Sequence, residues 1–574
     1  MLRYTANAKM ASDATDEQFA AGRIAPLRVG LLVDSMTQPA WVERALRRVI
    51  DTGVGELVLV VRNASPSKAP PGRSRLATWW KNRKYLLHAA YQRIDSAGFA
   101  WKPDPFAPVD LSSTLKGVQV MDVVPEEKGV SDIIAARDIE AIRSARLDVL
   151  VRLGFRILRG EILNVARFGV WSYHHGDNQR YRGGPPCFWE VMEGDPITGT
   201  ILQRLTESLD DGEVLYRSWG ATNVLSVARS SPQIYWKSAE FLARAMRNAQ
   251  LGIRPNRLEK EPSPYGQRLY VAPTNSEMAA GLARLAFRRT RAKMQSLVSV
   301  EQWFLAYRYT AGLPDENREP DLSPFRFRPI YPPNDRFWAD PFLFRSGGAT
   351  YVVFEDYSYS TKRGVISMLE IGPKGPVGTA QVVLSCDYHL SYPFVFDWRG
   401  STFMIPETAD AKRVEVYRLA KAPHEWTLEA VPLQGSSFTD CTLCEIGDRW
   451  WMFANTADEG ASFWDELHLF HAPSPLGPWT PHRLNPVVSD VRTARPAGTL
   501  FQRGGAWYRP SQDSARGYGS ATNIQRIVRL TPDEYEEVTV GKLLPEWQPG
   551  LTGVHTVNAL GGLTLIDARR RIRK

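Results

Sequence analysis

The chain carries two different patterns of apolar and polar residues. In its first half, short apolar runs alternate with stretches whose apolar residues recur every three or four positions. The runs LRVGLLV (27–33) and ELVLVV (56–61) predict buried parallel strands, and the pattern over 40–50 predicts a helix between them. This strand–helix–strand order predicts an α/β sheet.

The same reading extends along the rest of this half. Residues 133–142 predict a helix, 148–153 and 169–173 predict strands, 231–251 predict a helix, and 276–310 predict one or two basic helices. Residues 63–110 are basic and contain prolines, which predicts an insertion that is helical in part. Residues 1–26 lack a regular pattern and are predicted to be disordered.

From about residue 325 the helical period gives way to short aromatic strands separated by glycine-containing turns. One unit recurs five times: a residue that opens a strand, a turn, and a polar residue that closes the next strand. The opening residues are Asp340, Tyr392, Asp440, Ala497 and His555, and the closing residues are Glu355, Glu407, Asn455, Gln512 and Asp567. Copies begin roughly 50–60 residues apart, enough for four strands each, which predicts a five-bladed β-propeller.

These patterns predict the domain organisation. We expect a disordered segment over 1–26, an α/β domain of the Rossmann-like type over 27–225, a helical connector over 226–320 and an all-β propeller over 321–574.

The strand over 169–173 leads into an ordered set of motifs. These are His174, Arg182-Gly183-Gly-Pro-Pro186, Gly194-Asp195-Pro-Ile-Thr198-Gly199 and Leu209-Asp210-Asp211-Gly212. In this order they resemble the tetrahydrofolate-dependent formyltransferases, which include methionyl-tRNA formyltransferase and the sugar N-formyltransferases. The resemblance covers about 27–225 and is densest after 148. It implies 10-formyltetrahydrofolate as the formyl donor.

The resemblance also implies roles for individual residues. His174, Asp210 and Ser172 are the candidate catalytic residues, and Tyr173, His175, Arg182, Gly183 and Asp211 are candidates for binding substrate or cofactor. Formyl transfer to an amine passes through an oxyanion, to which an imidazole can donate while a carboxylate holds the imidazole or accepts a proton. Two departures stand out: Ser172 occupies the position of the family's Asn, and the loop after His174 differs from the family's loop.

The propeller half resembles two further groups. Ala339-Asp340-Pro341 is similar to five-bladed glycoside hydrolases of the arabinanase and β-xylosidase type. A second resemblance, to the amino-terminal propeller of plant glucosamine inositolphosphorylceramide transferases, is carried by Trp338–Phe344, Pro406-Glu407-Thr408, Arg495-Pro-Ala-Gly498 and Tyr508-Arg-Pro-Ser-Gln512-Asp513. The repeated positions of a propeller predict a central funnel, and its candidate lining residues are Asp340, Glu355, Tyr392, Glu407, Asp440, Gln512 and His555. The resemblance implies that this half has a carbohydrate-related role. Tyr392 stands where the hydrolases carry an Asp, which argues against ordinary glycosidase activity.

Composition indicates which compartment, metal sites and charged partners to expect. No run of about 18 apolar residues predicts a membrane span, and no secretory signal is visible, so we expect a cytoplasmic protein. Four cysteines predict no disulfide framework, and the single Cys441-Thr-Leu-Cys444 pair lacks the partners of a zinc site, so no metal is expected. The net charge of +9 suits either solubility or an anionic partner, and the basic run 288–293 is interpreted as a solvated face, with contact to a membrane surface or acidic glycan as the alternative.

Together these features favour an N-formyltransferase that acts on an amino sugar, a nucleotide-sugar or a glycan, with the propeller binding carbohydrate and with no nucleic-acid partner. Two alternatives stay open. One is a propeller glycoside hydrolase or glycosyltransferase with a degenerate formyltransferase domain. The other is a glycan-binding protein without catalysis. The sequence does not indicate the oligomeric state.

Overall fold

A computed structural model describes residues 25–66, 83–99, 101–207, 212–253, 268–310, 318–323, 325–457 and 459–574. Most of the segment predicted to be disordered, 1–24, lies outside these residues. The described chain forms two compact units. The amino-terminal unit holds residues up to 290 together with 459–461, and the carboxy-terminal unit holds 291–457 and 462–574.

The amino-terminal unit contains twelve described strands. They are β1 Leu27–Val33, β2 Thr37–Pro39, β3 Gly55–Asn63, β4 Pro108–Asp110, β5 Gln119–Val123, β6 Glu126–Lys128, β7 Ser131–Ile133, β8 Val149–Arg152, β9 Ile157–Arg159, β10 Val170–His174, β11 Ile197–Arg204 and β12 Glu213–Ala221. The helices are α1 Ala40–Asp51, α2 Leu86–Ala97, α3 Ala136–Ser144, α4 Phe188–Glu193, α5 Val227–Ser238, α6 Phe241–Gln250 and α7 Asn275–Val298, of which α7 continues into the second unit.

Seven of these strands form one open sheet in the order β12-β11-β10-β8-β1-β3-β5. The five strands from β10 to β5 are parallel, and β11 and β12 add antiparallel strands at one side. Helices α1, α5 and α6 pack on one face, and α3 packs on the other. Because both faces are covered, the central strands are almost wholly apolar, as LRVGLLV in β1 shows.

Several predicted elements are confirmed, and others change. The strand over 27–33 and the helix over 40–50 are present as β1 and α1. The helix predicted over 231–251 is divided into α5 and α6, which pack into the core of this unit although the sequence places them in a connector. The helical pattern over 276–310 ends at Val298, because Ser299–Tyr309 forms a strand.

The basic run on α7 is not simply a solvated face. Arg288 Nη2 donates to the carbonyl of Val191 at 2.5 Å, and Arg289 Nη2 binds Asp95 Oδ1 at 2.7 Å. These two guanidinium groups attach the helix to the amino-terminal unit, which corrects the expectation that the whole run faces solvent.

The remaining strands belong to the carboxy-terminal unit. They are β13 Ser299–Tyr309, β14 Arg328–Ile330, β15 Arg336–Ser346, β16 Ala349–Ser358, β17 Arg363–Gly372, β18 Gly375–Leu384, β19 Ser391–Trp398, β20 Ser401–Glu407, β21 Arg413–Lys421, β22 Glu425–Gln434, β23 Phe438–Ile446, β24 Arg449–Thr456, β25 Glu466–Ala472, β26 Thr480–Pro481, β27 Val488–Ser489, β28 Phe501–Arg503, β29 Ala506–Asp513, β30 Ala521–Leu530, β31 Tyr535–Leu543, β32 Leu551–Gly553, β33 Val557–Leu560 and β34 Leu563–Arg573.

Among the described residues these strands form five antiparallel sheets. Four follow chain order: β15 to β18, β19 to β22, β23 to β27, and β28 to β31. The fifth has the order β14-β13-β34-β32, with β33 also paired to β34, so it joins the first strand of the unit to its last. Its pairing extends from Ser299 opposite Arg573 to Tyr309 opposite Leu563.

The repeated opening residue of the first three sheets has an unusual backbone. Asp340, Tyr392 and Asp440 have φ angles of 50°, 42° and 52°, the left-handed region that residues other than glycine rarely occupy. At each of them the register with the next strand shifts, as in a β-bulge. A β-bulge interrupts the alternation of side chains between the two faces of a sheet. This explains how the repeated opening position directs all three side chains inward.

Hydrogen bonds from these inner positions link all five sheets. Asp340 of the first sheet contacts Asp567 of the fifth, and the Tyr392 hydroxyl of the second meets Thr442 of the third and Gly498 beside the fourth. Thr499 N donates to Asn558 Oδ1 of the fifth. The inner strands therefore surround a common centre.

Candidate functional site

The candidate transfer site lies where β10 ends at the carboxyl edge of the parallel strands. Ser172 and His174 are two residues apart on β10 and therefore lie on the same face of the sheet. Ser172 is 3% exposed, and its Oγ accepts a hydrogen bond from Arg152 Nη1 at 3.1 Å. In open α/β sheets, ligands bind at this edge.

Arg152 is a charged residue that sequence reasoning overlooked. It lies opposite Ser172 in the neighbouring parallel strand β8. Its Nε donates to the carbonyl of Arg156 at 3.0 Å and its Nη2 to the carbonyl of Phe155 at 2.9 Å. Burial lowers its pKa, while the carboxylates of Asp34 and Asp132 oppose the shift. The signal was present in the sequence, because an arginine inside an apolar strand needs partners to be buried.

His174 is partly buried at the end of β10. Gly176 packs closely against it, since a Cβ on Gly176 would lie 3.0 Å from His174 Nε2. Asp210 and Asp211, the predicted carboxylates, lie in the segment 208–211 outside the described residues. The pairing of His174 with Asp210 therefore stays a prediction.

Tyr173 and His175 face the opposite way. Their rings contact Trp41 of α1 at centroid distances of 5.0 and 5.1 Å. His175 also stacks on Tyr235 at 3.7 Å, and its Nε2 lies 2.9 Å from Ser238 Oγ. Burial, with a smaller contribution from His174, lowers the pKa of His175 to about 3, so the ring is neutral. This packing is typical of core residues, and the role of both in binding stays a prediction.

Arg182 and Gly183 lie in a loop that packs against residues 269–270. The carbonyl of Arg182 accepts from Tyr270 N at 2.8 Å, and Arg182 is 8% exposed. Gly183 has a φ of 101°, and a Cβ there would lie 2.2 Å from the carbonyl oxygen of Tyr270. Glycine is required at this close approach. Their predicted role in binding stays a prediction.

The centre of the carboxy-terminal unit contains a histidine held between two acids. His555 Nε2 lies 3.1 Å from Asp340 Oδ1, and its Nδ1 lies 2.9 Å from Asp567 Oδ2. Asp567 also accepts from the backbone N–H groups of Asp340, His555 and Thr556 at 2.9–3.0 Å. Although burial opposes it, Asp567 and Asp340 raise the pKa of His555 to about 10, so the ring is an imidazolium at neutral pH.

A second charged group joins three other sheets. Arg495 binds Asp440 through Nε at 2.5 Å and Nη2 at 3.0 Å, and its Nη2 also reaches Glu407 at 3.5 Å. Gln512 Nε2 donates to Asp440 Oδ2 and to the carbonyl of Pro496, both at 3.1 Å. Burial and the nearby Asp440 hold the pKa of Glu407 well above its usual range.

The other two predicted funnel residues differ in character. Glu355 is 6% exposed, and burial and Asp340 raise its pKa well above the usual range. Its carboxylate has one hydrogen-bonding or ionic contact among the described residues, with His389 Nε2 at 3.4 Å. Tyr392 is fully buried, and its hydroxyl is used within the protein because it meets Thr442 Oγ1 and accepts from Gly498 N, both at 2.8 Å. The structure thus gives Tyr392 a role in joining sheets.

Aromatic residues form one side of this centre. Trp303 lies 4.1 Å from His555 between ring centroids, Tyr518 lies 5.1 Å from His555, and Trp464 lies 5.7 Å from Tyr518. Sequence reasoning did not identify these three or Arg495. Trp303 falls in the segment interpreted as helical, and Arg495 lies two residues before Ala497, the repeat position that was chosen instead.

Asp340, His555 and Asp567 could also offer ligand atoms to a metal ion, since these atoms lie within 4.8 Å of one another. Both ring nitrogens of His555 already face carboxylates, however, and Asp567 accepts three backbone N–H groups. The contacts are those of a buried ion-pair group.

In the part of the chain that the structure describes, none of the helices combines the length and the hydropathy of a membrane span.

The chain is similar to two kinds of known protein. The family profile of glucosamine inositolphosphorylceramide transferase 1, N-terminal, matches residues 330–553. The transferase of that name from Oryza sativa subsp. japonica is 37% identical over 224 residues, which is 38% of this chain and 30% of the relative. The Arabidopsis thaliana protein is 34% identical over 210 residues, which is 36% of this chain and 27% of the relative. The chain thus spans about a third or less of the length of these curated relatives.

Other relatives are formyltransferases. Methionyl-tRNA formyltransferase of Prochlorococcus marinus (strain MIT 9215) is 35% identical over 78 residues, 13% of this chain and 24% of the relative. The methionyl-tRNA formyltransferase of Lachnospira eligens is 24% identical over 214 residues, which is 36% of this chain and 62% of the relative.

Among solved structures, a glycinamide ribonucleotide transformylase from Symbiobacterium toebii matches at 13% identity and a TM-score of 0.24, covering 40% of this chain and 87% of its own. A family 117 glycoside hydrolase from Zobellia galactanivorans matches at 14% identity and a TM-score of 0.30. The match covers 47% of this chain and 90% of the hydrolase. By sequence, the chain is similar to formyltransferases in one region and to the amino-terminal part of a glucosamine inositolphosphorylceramide transferase in another.

Proposed function

We propose that this protein is an N-formyltransferase that moves a formyl group from 10-formyltetrahydrofolate to the amino group of a sugar, free or as part of a nucleotide-sugar or glycan. We further infer that the five antiparallel sheets are the blades of a propeller that binds carbohydrate. The observation that carries the proposal is the position of His174, at the carboxyl end of a parallel strand beside the Ser172–Arg152 hydrogen bond.

The side chains at this edge fit a formyl donor. Arg152, Ser172 and His174 all carry groups that can donate a hydrogen bond, as a carbonyl oxygen requires. When bound, the folate would supply an activated formyl carbon. Arg152 and His174 would hold its oxygen as negative charge develops there, and the cationic guanidinium strengthens such a hydrogen bond. Asp210 would orient the imidazole or take the proton of the amine.

Arg152 offers an explanation for the change from Asn to Ser. A serine hydroxyl is shorter than a carboxamide, and it receives the hydrogen bond of a buried cation. We infer that the Ser172–Arg152 pair together replaces the amide donor of the family pattern. The acceptor is proposed to be a sugar because the second half of the chain is similar to a transferase whose name includes glucosamine.

The test is mass spectrometry of amino sugars and their nucleotide-linked forms after incubation with protein and formyl donor. A mass gain of about 28 Da, the difference between N–CHO and N–H, is expected only with active protein. His174→Ala should abolish it. His175→Ala is unsuited as a control because it opens the core, so His424→Ala, an exposed residue of the other unit, is used. Formylation of methionyl-tRNA instead of a sugar would contradict the choice of acceptor.

One observation favours a second candidate, glycoside hydrolysis. Glu407 is a carboxyl group with a raised pKa, and Asp340, whose pKa the His555 imidazolium lowers against the effect of burial, stays ionised. Glycoside hydrolysis uses a pair of carboxyl groups, one of which has a raised pKa and acts as the acid. Release of nitrophenol from aryl glycosides that is lost in Glu407→Gln would support this candidate.

A further inference from the structure

We propose that the centre of the carboxy-terminal unit binds the ammonium group of an unmodified amino sugar between Glu355 and Glu407. This deepens the proposed function and rests on it, because the ligand class is that of the proposed formyl acceptor. The binding experiment nevertheless requires no formyl donor, so the two can fail separately.

The centre contains more acidic groups than cations. Five carboxyl groups meet at this centre, namely Asp340, Glu355, Glu407, Asp440 and Asp567, with two cations, Arg495 and His555. His555 lies between Asp340 and Asp567, and Arg495 binds Asp440 in a bidentate pair. Glu355 meets His389 at 3.4 Å, and Glu407 reaches Arg495 at 3.5 Å and shares a hydrogen bond with Asp440. Among the described residues, neither carboxyl group has a cation at close hydrogen-bonding distance, and burial without one favours a bound cation.

Two buried amide oxygens also lack a hydrogen-bond partner among the described residues. Gln512 is fully buried, and both hydrogens of its amide are used by Asp440 and the carbonyl of Pro496, which fixes the orientation of the amide. Its Oε1 has no partner among the described residues. Asn455 Oδ1, at the equivalent position of the third sheet, is buried and also lacks a partner there. An unpaired buried acceptor calls for a ligand that donates hydrogen bonds.

The repeat explains why these groups occur together. Glu355, Glu407, Asn455 and Gln512 are the closing residues of the four successive sheets, so one structural position supplies all four acceptors. A sugar ammonium group carries three donors and a positive charge. The neighbouring hydroxyl groups of the sugar add further donors.

Aromatic side chains are available for the rest of the ligand. Trp303, Tyr518 and Trp464 form an aromatic side next to His555. Aromatic rings bury the apolar face of a sugar ring while hydroxyl groups point elsewhere. Glu407, His389, Tyr518 and Trp464 are partly exposed, and they mark where this centre reaches solvent.

A metal ion fits less well than an ammonium group. Calcium takes six to eight oxygen ligands at about 2.3–2.6 Å. Here a divalent ion would lie among the guanidinium group of Arg495 and the imidazolium of His555, which face the same carboxylates. A single positive charge with directed N–H donors meets less repulsion.

The experiment is isothermal titration of the full chain with D-glucosamine and D-galactosamine, each compared with its N-acetyl form and with the neutral hexose. We expect the amine to bind at least tenfold more tightly than the N-acetyl form. Glu355→Gln and Glu407→Gln should each remove this preference, because an amide keeps the shape but loses the charge. Glu429→Gln, an exposed residue on β22 of the sheet that holds Glu407, is the matched control and should leave the preference unchanged.

The outcomes separate the possibilities. Equal affinity for amine and N-acetyl sugars, or no binding of the amines at millimolar concentration, would overturn the inference even if the variants failed to fold, because that comparison uses the unchanged protein. Calcium binding that competes with glucosamine and depends on Glu407 would overturn it in favour of a metal. Preference for the amine without any formyl transfer would support the inference and leave the proposed reaction unsupported.

Discussion

At the scale of single residues, the pair formed by Ser172 and Arg152 shows how one substitution can involve two positions. A buried guanidinium group loses solvation, and three of its donors are taken up by the Ser172 hydroxyl and the carbonyls of Phe155 and Arg156. Removing the hydroxyl would leave a charged donor without its partner. The pair therefore matters for stability as well as for the proposed chemistry.

Ser172→Ala is expected to lower the free energy of unfolding by about 1–3 kcal/mol, the usual cost of leaving a buried donor unpaired. Urea unfolding followed by tryptophan fluorescence measures it. Ser144→Ala, at the exposed end of α3, should change stability by less than about 0.5 kcal/mol. An equal effect of both substitutions would show that the Arg152 contact contributes nothing.

The raised pKa of His555 predicts how the stability of the fold changes with pH. Its pKa in the folded protein is about 10 against an ordinary value of 6.5, since Asp567 and Asp340 favour the charged form. A group whose folded pKa is raised stabilises the fold fully below 6.5, and this contribution is lost as pH rises towards 10. The loss should be on the order of a few kcal/mol, because one unit of pKa difference corresponds to about 1.4 kcal/mol.

The measurement is the free energy of unfolding at several pH values between 6.5 and about 10, for the natural protein and His555→Gln. Glu355 and Glu407 also have raised pKa values, which gives a decline of the same sign, so the difference between the two proteins isolates His555. Parallel curves would be evidence against an imidazolium at this position.

At the scale of strands and bulges, Tyr392 connects three sheets through one hydroxyl group. It meets Thr442 Oγ1 in the third sheet and receives the N–H of Gly498 beside the fourth. Both partners are buried, so neither can turn to water when the hydroxyl is lost.

Tyr392→Phe is therefore expected to destabilise the carboxy-terminal unit by about 1–3 kcal/mol without changing its secondary structure. Thermal unfolding followed by circular dichroism reports both quantities. Tyr309→Phe, whose parent side chain is 50% exposed, should be nearly neutral. If the two variants unfold at the same temperature, Tyr392 does not join the sheets in the way described.

Strands with strong local signals were predictable, and those defined by distant partners were not. LRVGLLV is apolar throughout and could only be buried, so β1 was predicted with its correct bounds. By contrast, β13 has seven consecutive buried residues from Gln302 to Arg308, polar ones among them, without alternation. Its partner β34 follows more than 250 residues later, and no local pattern shows that pairing.

The candidate site shows the same division. The repeat predicted which residues open and close the inner strands, because identical spacing implies identical position. It did not show that Asp340, Tyr392 and Asp440 adopt left-handed backbone angles, or that Arg495 lies beside Asp440. Alternation along β10 was available from the sequence and would have separated Ser172 and His174 from Tyr173 and His175.

At the scale of the whole molecule, two units with separate cores predict two unfolding events. We expect differential scanning calorimetry to resolve two transitions. A stable formyl-folate analogue should raise the temperature of one, and D-glucosamine that of the other, because each ligand stabilises the unit that binds it. His555→Gln should lower only the unfolding temperature of the carboxy-terminal unit. A single transition that responds to both ligands would mean that the units unfold together.

The pairing of β13 with β34 also sets an order of events during synthesis. All sheets from β15 to β31 can form while the polypeptide is still emerging from the ribosome, since their strands are consecutive. Asp567 lies on β34, so His555 has only one of its two acidic neighbours until that strand arrives and joins β13. The long loop that must close makes this step late. Until then His555 lacks the carboxylate that faces its Nδ1, and we expect binding to appear only once β34 has joined β13.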